Sequence, residues 1–74
     1  MSRPQKRSFS IAGHRTSVSL EPPFWEALKH IAAGENKSLA GLVAEIDAGR
    51  GDYGLSTAIR LHALAHYKAR ASQV

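Results

Sequence analysis

The chain has 74 residues, 43% of them hydrophobic, and contains no cysteine. This length allows one domain with a small core, because a chain of this size hides only about 60% of its unfolded surface. Without disulfides or thiolate metal ligands, we expect a second subunit to supply the missing stabilisation. No stretch approaches the roughly 18 apolar residues that span a bilayer, and no signal peptide is evident, so we expect a cytoplasmic protein.

The net charge of +4 comes entirely from the N-terminal segment. Residues 1–20 contain four basic residues and no acidic residue, whereas residues 21–74 contain six of each. A basic segment beside a neutral, foldable body is typical of proteins that bind polyanions, and equally of a merely solvated tail. Residues 1–7 are polar and include a proline, so we expect a disordered basic arm there and one domain over residues 8–74.

Two short stretches alternate between polar and apolar residues, as a β-strand does. The apolar positions are odd-numbered in residues 8–12 and even-numbered in residues 15–20. One continuous strand cannot place both sets on one face, so a bulge or turn at Gly13 would have to correct the register. The second stretch is the stronger strand, because Thr16 and Val18 are β-branched. We predict a mainly α-helical domain with one short N-terminal β-strand.

Two helices are predicted after this strand. Apolar residues recur at helical spacing from Phe24 onward, after a pair of prolines that suits a helix start, and Gly34 ends this first helix. Ser38 is a suitable cap for a second helix over residues 38–48, whose apolar positions again fall on one face.

A third helix is predicted after the glycine-rich loop 49–54. It covers residues 56–70, with Ser56 or Thr57 as its N-cap. This helix is apolar over a wide arc, so more than one neighbour should cover it. The predicted order is therefore one strand followed by three helices.

The predicted strand needs a partner, because an isolated strand leaves backbone N–H and C=O groups unpaired. Residues 9–12 could fold back on it as a hairpin, or the same strand of a second subunit could pair with it. We predict the second arrangement, an intermolecular antiparallel two-stranded ribbon in a homodimer, because it also enlarges the small core. Three residues would then point into the helices, namely Thr16, Val18 and Leu20. Three would point outward, namely Arg15, Ser17 and Ser19.

The sequence around the strand resembles a known DNA-binding superfamily. The run Arg15-Thr16-Ser17-Val18-Ser19-Leu20, followed by Glu21-Pro22-Pro23-Phe24-Trp25, looks like the ribbon-helix-helix superfamily of Arc- and MetJ-type repressors. Over nearly the whole chain, the order of strand, proline, helix, glycine, serine and helix is similar to a small bacterial ribbon-helix-helix family. This resemblance implies a homodimer that binds double-stranded DNA as a transcriptional repressor, without a cofactor, and it leaves higher assemblies on DNA open.

The resemblance also implies which residues contact DNA. The outward ribbon residues contact bases in the major groove, and here they are Arg15, Ser17 and Ser19. Arginine bonds bidentately to guanine, and serine donates to or accepts from several base edges. Predicted phosphate contacts in the N-terminal segment are Lys6, Arg7 and His14. The family also binds a phosphate at the N-terminus of its second helix. Two helix starts could provide this site. We favour Ser38 and Leu39, because their helix follows the first helix directly. The alternative is Ser56 and Thr57, because the residues around them resemble the usual start of the family's second helix.

Other functions are less well supported by the sequence. His62 and His66 have a spacing that can chelate a metal, but no glutamate lies between them and we predict no metal site. No nucleophile has a base at a meaningful spacing, so we do not expect an enzyme. The alternative function is a protein-interaction or antitoxin-like dimerisation module with the same fold. Antitoxin tails usually run tens of residues past the domain, whereas residues 71–74 alone follow the third helix here, so we favour DNA binding.

Overall fold

The computed structural model of the chain describes residues 3–72. Within them, the elements are β1 (Gln5–Ile11), β2 (His14–Leu20), α1 (Pro22–Gly34), α2 (Leu39–Ala48) and α3 (Leu55–Ala71). The two strands form one antiparallel sheet, and the helices cover one face of it, with α2 against β1 and α3 against β2. The predicted order of ribbon and three helices is present, with two strands where one was predicted.

The strands form a hairpin within one chain. Their register runs from Gln5 opposite Leu20 to Ile11 opposite His14. The two connecting residues, Ala12 and Gly13, have φ angles of 51° and 81°. Positive φ at both central residues defines the type I′ turn, whose twist matches that of the strands it joins. The partner strand of β2 in this structure is therefore β1 of the same chain.

The predicted disordered arm over residues 1–7 is partly replaced by strand. Residues 5–7 belong to β1, whereas Arg3 and Pro4 have no regular secondary structure. Residues 1 and 2 lie outside the described part of the chain. Every residue from Arg3 to Ser8 is exposed, which explains why this segment is polar although part of it is a strand. A two-residue turn brings β1 onto β2 at little cost in loop entropy, so a polar strand can still pair.

The core lies between the sheet and the helices. The turn at Ala12 and Gly13 places the odd positions of β1 and the even positions of β2 on one face. The alternation predicted for the second strand is confirmed, since Val18 and Leu20 are buried while Ser17 and Ser19 are exposed. The buried hydrophobic residues are Ile11, Val18, Leu20, Trp25, Leu28, Ile31, Ala32, Leu42, Val43, Ile46, Ala58, Ile59 and Ala63.

The helix starts agree with the sequence at α2 and differ at α3. Ser38 caps α2 as predicted, with its hydroxyl accepting a hydrogen bond from the N–H of Gly41 at 2.9 Å. At α3 the N-cap is Gly54, not Ser56 or Thr57. The carbonyl of Gly54 accepts the first helical hydrogen bond, so the predicted caps lie inside the first turn. Glycine is itself an accepted N-cap residue, and no side-chain oxygen is required there.

Candidate nucleic-acid interface

The face of the hairpin that points away from the helices carries only serine, lysine and arginine side chains. Three cross-strand pairs form it: Lys6 with Ser19, Ser8 with Ser17, and Ser10 with Arg15. We call these six residues the outer face. All six are exposed. The hydroxyls of Ser8 and Ser17 lie 3.2 Å apart and form a hydrogen bond between the strands. Because four of the six side chains are serines, a large ligand can approach the backbone of the sheet closely.

The three residues predicted to contact bases are brought together on this face. Arg15, Ser17 and Ser19 occupy the alternate exposed positions of β2. The structure adds Ser8 and Ser10 beside them, which the sequence did not single out as contacts. The available signal was the polar alternation of residues 8–12, which has the same period as that of β2.

The outer face is electropositive. Lys6 and Arg15 lie toward its opposite ends, and the first acidic residue in the sequence is Glu21. Among residues 3–72, neither Lys6 nor Arg15 takes part in an ion pair. Both charges are therefore available to an anionic ligand.

Two predicted phosphate contacts lie off the outer face. Arg7 belongs to the odd positions of β1, on the side of the helices, and its guanidinium lies over the ring of Trp25 at 5.3 Å. His14 follows the turn directly and pairs with Ile11, also on that side. Both residues are exposed. Both lie on the helix side of the hairpin, whereas Lys6 points outward with the serines.

The N-terminus of α3 lies beside the end of β2. The hydroxyl of Ser56 donates a hydrogen bond to the backbone carbonyl of Ser19 at 3.4 Å. No side chain caps this helix, and its first helical hydrogen bond is made by the N–H of Ala58. The preceding N–H groups at the helix start, together with the helix dipole, form an electropositive end. This end is the alternative phosphate site predicted at Ser56 and Thr57.

The start of α2 is arranged differently. The Ser38 hydroxyl accepts the hydrogen bond of the Gly41 N–H. A Cβ added at Gly41 would lie only 3.0 Å from that hydroxyl. In the described part of the chain, no hydrogen bond joins Ser38 or Leu39 to the sheet. Of the two predicted helix starts, only that of α3 contacts the hairpin through a hydrogen bond.

An ion pair anchors α3 to the junction of β2 and α1. Both Nε and Nη2 of Arg60 donate to Oε1 of Glu21, at 3.2 Å and 2.8 Å. The hydrogen bond from Arg60 lowers the pKa of the Glu21 carboxyl, with smaller contributions from a backbone hydrogen bond and the arginine charge. The same guanidinium lies over the ring of Phe24 at 5.6 Å. Sequence reasoning missed this pair because its members are 39 residues apart.

An apolar groove lies between α1 and α3. It has a volume of about 390 Å³. Its lining is Pro23, Phe24, Ala27, Arg60, Leu61, Ala63, Leu64 and Tyr67. Leu64 is 56% exposed, Leu61 43% and Tyr67 42%. The wide apolar arc predicted for the third helix is present, but only its Ala58, Ile59 and Ala63 side is buried within the chain.

Neither a metal centre nor a membrane span is present in the described part of the chain. No three His, Cys, Asp or Glu residues among residues 3–72 come together as ligands. His62 and His66 are half-buried, and His66 packs edge-on against Tyr67 with ring centroids 5.0 Å apart. No helix in that range combines the length and the apolar character that crossing a bilayer would take.

Comparison with known proteins agrees with this architecture. A family model described as ribbon-helix-helix domain matches residues 4–67, which covers the hairpin, α1, α2 and most of α3. No curated protein and no solved structure matches the chain significantly. The match spans well over half of the 74 residues, and the chain belongs to the ribbon-helix-helix domain family.

Proposed function

We propose that this protein is a sequence-specific DNA-binding regulator that inserts its hairpin into the major groove with the outer face toward the bases. Ribbon-helix-helix domains generally dimerise and bind DNA. The observation that carries the proposal is the outer face itself, which combines four serines with Lys6 and Arg15 and no acidic residue. Its function would be that of a transcriptional repressor, acting in the cytoplasm where bacterial chromosomal DNA lies.

The outer face has the chemistry of base readout. Arg15 can donate two hydrogen bonds to the O6 and N7 atoms of guanine, and Ser17 and Ser19 can donate to or accept from base edges. A two-stranded ribbon fits a major groove that is about 12 Å wide. Because Ser17 and Ser19 are short, the β2 backbone can approach the floor of the groove.

Contacts to DNA phosphates would lie beside these base contacts. Lys6 leaves the outer face near the end of β2, next to the electropositive start of α3. A phosphate there would meet the lysine ammonium and the free N–H groups of the first turn, including those of Ser56 and Thr57. The contact between Ser56 and Ser19 favours this site over Ser38 and Leu39. Arg7 and His14, which are exposed on the helix side of the hairpin, would contact the phosphate backbone rather than the bases.

A salt titration of two variants tests the division between base and phosphate contacts. Arg15→Ala should cost about 1–3 kcal/mol on a duplex selected from a random pool, and little on mixed DNA. Lys6→Ala should weaken binding to both alike and reduce the slope of log K against log salt by roughly 0.9. Lys68→Ala is the control, because Lys68 is exposed about 18 Å along α3 from Ser56. Equal losses for Arg15→Ala on both DNAs would contradict base readout.

The homodimer part of the proposal uses the groove between α1 and α3. Leu61, Leu64 and Tyr67 lie beside this groove on one helix, so a second copy related by a twofold axis would place the same side chains against it. Exposed apolar side chains clustered in this way mark interaction surfaces. The hairpins of both copies would remain free for DNA.

A charge placed in the groove is expected to separate the subunits. Leu64→Lys should give a folded monomer in sedimentation equilibrium at micromolar concentration, because Leu64 is 56% exposed and contributes little to the core. Ala65→Lys, an exposed neighbour outside the groove, should leave the dimer intact. A wild-type protein that is monomeric at concentrations where it binds DNA would contradict the dimer.

The same groove favours one alternative function, a protein-interaction or antitoxin-like module. In that case the groove would receive a different protein, and the outer face would not select DNA. Selection from a random duplex pool separates the two, because a module of this kind would return no preferred sequence. A wild-type protein that enriches no sequence would contradict the DNA-binding proposal.

A further inference from the structure

We infer that the cavity between α2 and α3 binds a small zwitterion with an apolar body, the chemical class of the free α-amino acids with apolar side chains. This cavity shares no residue with the outer face, and it shares only Leu61 with the groove between α1 and α3. The site therefore goes beyond the proposed DNA-binding function and does not depend on it.

The cavity has the size and the apolar surface of a small-molecule site. Its volume is about 450 Å³, and ligand pockets typically measure about 300–1,000 Å³. Three buried apolar residues line it and form its floor, namely Leu42 and Ile46 of α2 and Ala58 of α3. Tyr53 also lines the cavity and is 57% exposed. An aliphatic or aromatic group of a ligand would remove these apolar surfaces from water.

The charged part of the lining carries both signs in equal number. Two residues are acidic, Glu35 and Glu45, and two are basic, Lys37 and Arg50. The Nζ atom of Lys37 lies 2.8 Å from Oε1 of Glu35 and 2.7 Å from Oε2 of Glu45. The hydrogen bond from Lys37 lowers the pKa of the Glu35 carboxyl, and the hydrogen bonds to both carboxylates raise the pKa of Lys37. Glu35 and Lys37 are therefore both charged at neutral pH.

Two charged groups of the lining have hydrogen-bonding atoms left for a ligand. Arg50 is held by its Nε, which donates to Oδ1 of Asp47 at 2.8 Å, and by its Nη1, which donates to the carbonyl of Tyr53 at 2.6 Å. Among residues 3–72, Nη2 of Arg50 donates no hydrogen bond and Oε2 of Glu35 accepts none. A ligand carboxylate can accept from this Nη2, and a ligand ammonium can donate to this Oε2.

A ligand with a single charge would suit this lining less well. An anion near Arg50 would be repelled by the two lining carboxylates, and a cation near Glu35 would be repelled by the two lining basic groups. A zwitterion can place each of its charges beside the opposite one. Its side chain would then lie against the floor, so we expect apolar amino acids to bind more tightly than free glycine, which has no side chain.

Titration with free amino acids tests the site in the absence of DNA. The probes are the L forms of leucine, isoleucine, valine, methionine, phenylalanine and tryptophan. At least one of them should raise the thermal unfolding midpoint of the wild-type protein saturably, by about 5–10 °C at roughly tenfold its dissociation constant. Backbone amide NMR signals of α2, of the 49–54 loop and of the first turns of α3 should shift in the same titration.

Two analogues of the amino acid that binds most tightly are the matched ligand controls. One lacks the carboxylate and the other lacks the ammonium group; for leucine they are isoamylamine and 4-methylpentanoate. Each analogue keeps the apolar body and loses one charged contact. Each should therefore bind about tenfold more weakly than the amino acid, or weaker still.

Three variants locate the bound ligand. Arg50→Gln and Glu35→Gln each remove one charged contact near the surface, so they should fold and should weaken binding about tenfold. Gly49→Leu adds a side chain at a lining residue with a φ of −105°, where a Cβ would meet only the backbone carbonyl of Glu45, at 3.9 Å. It should fold and block the cavity. Glu26→Gln, an exposed position of α1 outside the cavity, is the control and should leave the affinity unchanged.

Three outcomes would overturn the inference. In the first, none of the six amino acids changes the unfolding midpoint or the amide signals at millimolar concentration. In the second, the two analogues bind as tightly as the amino acid, so that its charges are not recognised. In the third, Arg50→Gln, Glu35→Gln and Gly49→Leu all bind like the wild type, so that the ligand lies elsewhere.

Discussion

A Val18→Asp variant is expected to be unfolded. Val18 is 1% exposed and lies on the inner face of β2, in the core beneath the helices. A carboxylate there would be buried without a partner, which costs several kcal/mol whether it stays charged or takes up a proton. Small domains are stable by only about 5–15 kcal/mol, so this single change removes most of the stability. Far-UV circular dichroism and urea unfolding measure the result.

The control for this variant is Ser17→Asp, one residue away on the opposite face. Ser17 is exposed, so the protein should keep its unfolding midpoint within about 0.5 kcal/mol of the wild type. Its affinity for DNA should nevertheless fall on every sequence, because the phosphates on both sides of the groove repel the new negative charge. If Val18→Asp folded normally while Ser17→Asp unfolded, the two faces of the hairpin would have been assigned the wrong way round.

Trp25→Ala is expected to destabilise the protein by about 3–5 kcal/mol and to release β1 from α1. Trp25 is 1% exposed and is the main link between α1 and the first strand. Its indole Nε1 donates to the carbonyl of Gln5 at 2.9 Å, and the ring of Phe9 lies 6.0 Å away. The guanidinium of Arg7 lies over the same indole. Loss of these contacts leaves β1 held by its backbone pairing with β2 and by its packing against α2.

Hydrogen exchange and a second variant identify the cause of this loss. The amides of β1 should lose protection in Trp25→Ala beyond the change in global stability. Trp25→Phe keeps an aromatic ring and removes the hydrogen bond to Gln5, so it should cost only about 0.5–1.5 kcal/mol more than the change in ring size. Unchanged protection of β1 in Trp25→Ala would show that the strand is anchored elsewhere.

The sequence by itself determined the properties that depend on a single helix or strand. The alternation of residues 15–20 assigned the inner and outer faces of β2, because side chains alternate with a fixed period of two wherever the strand lies. The Ser38 cap of α2 and the apolar stripe of that helix follow from local spacing in the same way. The charge distribution needed no structure, and by itself it agreed equally with a polyanion binder and with a solvated tail.

The pairing of the strand was decided by the tertiary structure. The sequence allowed β2 two partners, because backbone hydrogen bonds carry no sequence information. We predicted the strand of a second subunit, whereas the structure pairs β2 with β1. The polar residues before Phe9 are typical of a disordered tail. The positive φ angles of Ala12 and Gly13 show that the chain instead reverses direction within two residues. Trp25 holds β1 from within the same chain, through the hydrogen bond from its indole N–H to the carbonyl of Gln5.

The tertiary structure also decided which helix start lies beside the outer face. Ser38 and Ser56 each lie at a predicted helix start, and both suited a phosphate site by sequence. The hydrogen bond from Ser56 to Ser19 joins residues 37 apart, and the ion pair of Glu21 with Arg60 joins residues 39 apart. The residue pattern within one helix or strand gives no information on contacts between residues so far apart in the chain. These contacts depend on how the helices pack around one shared core.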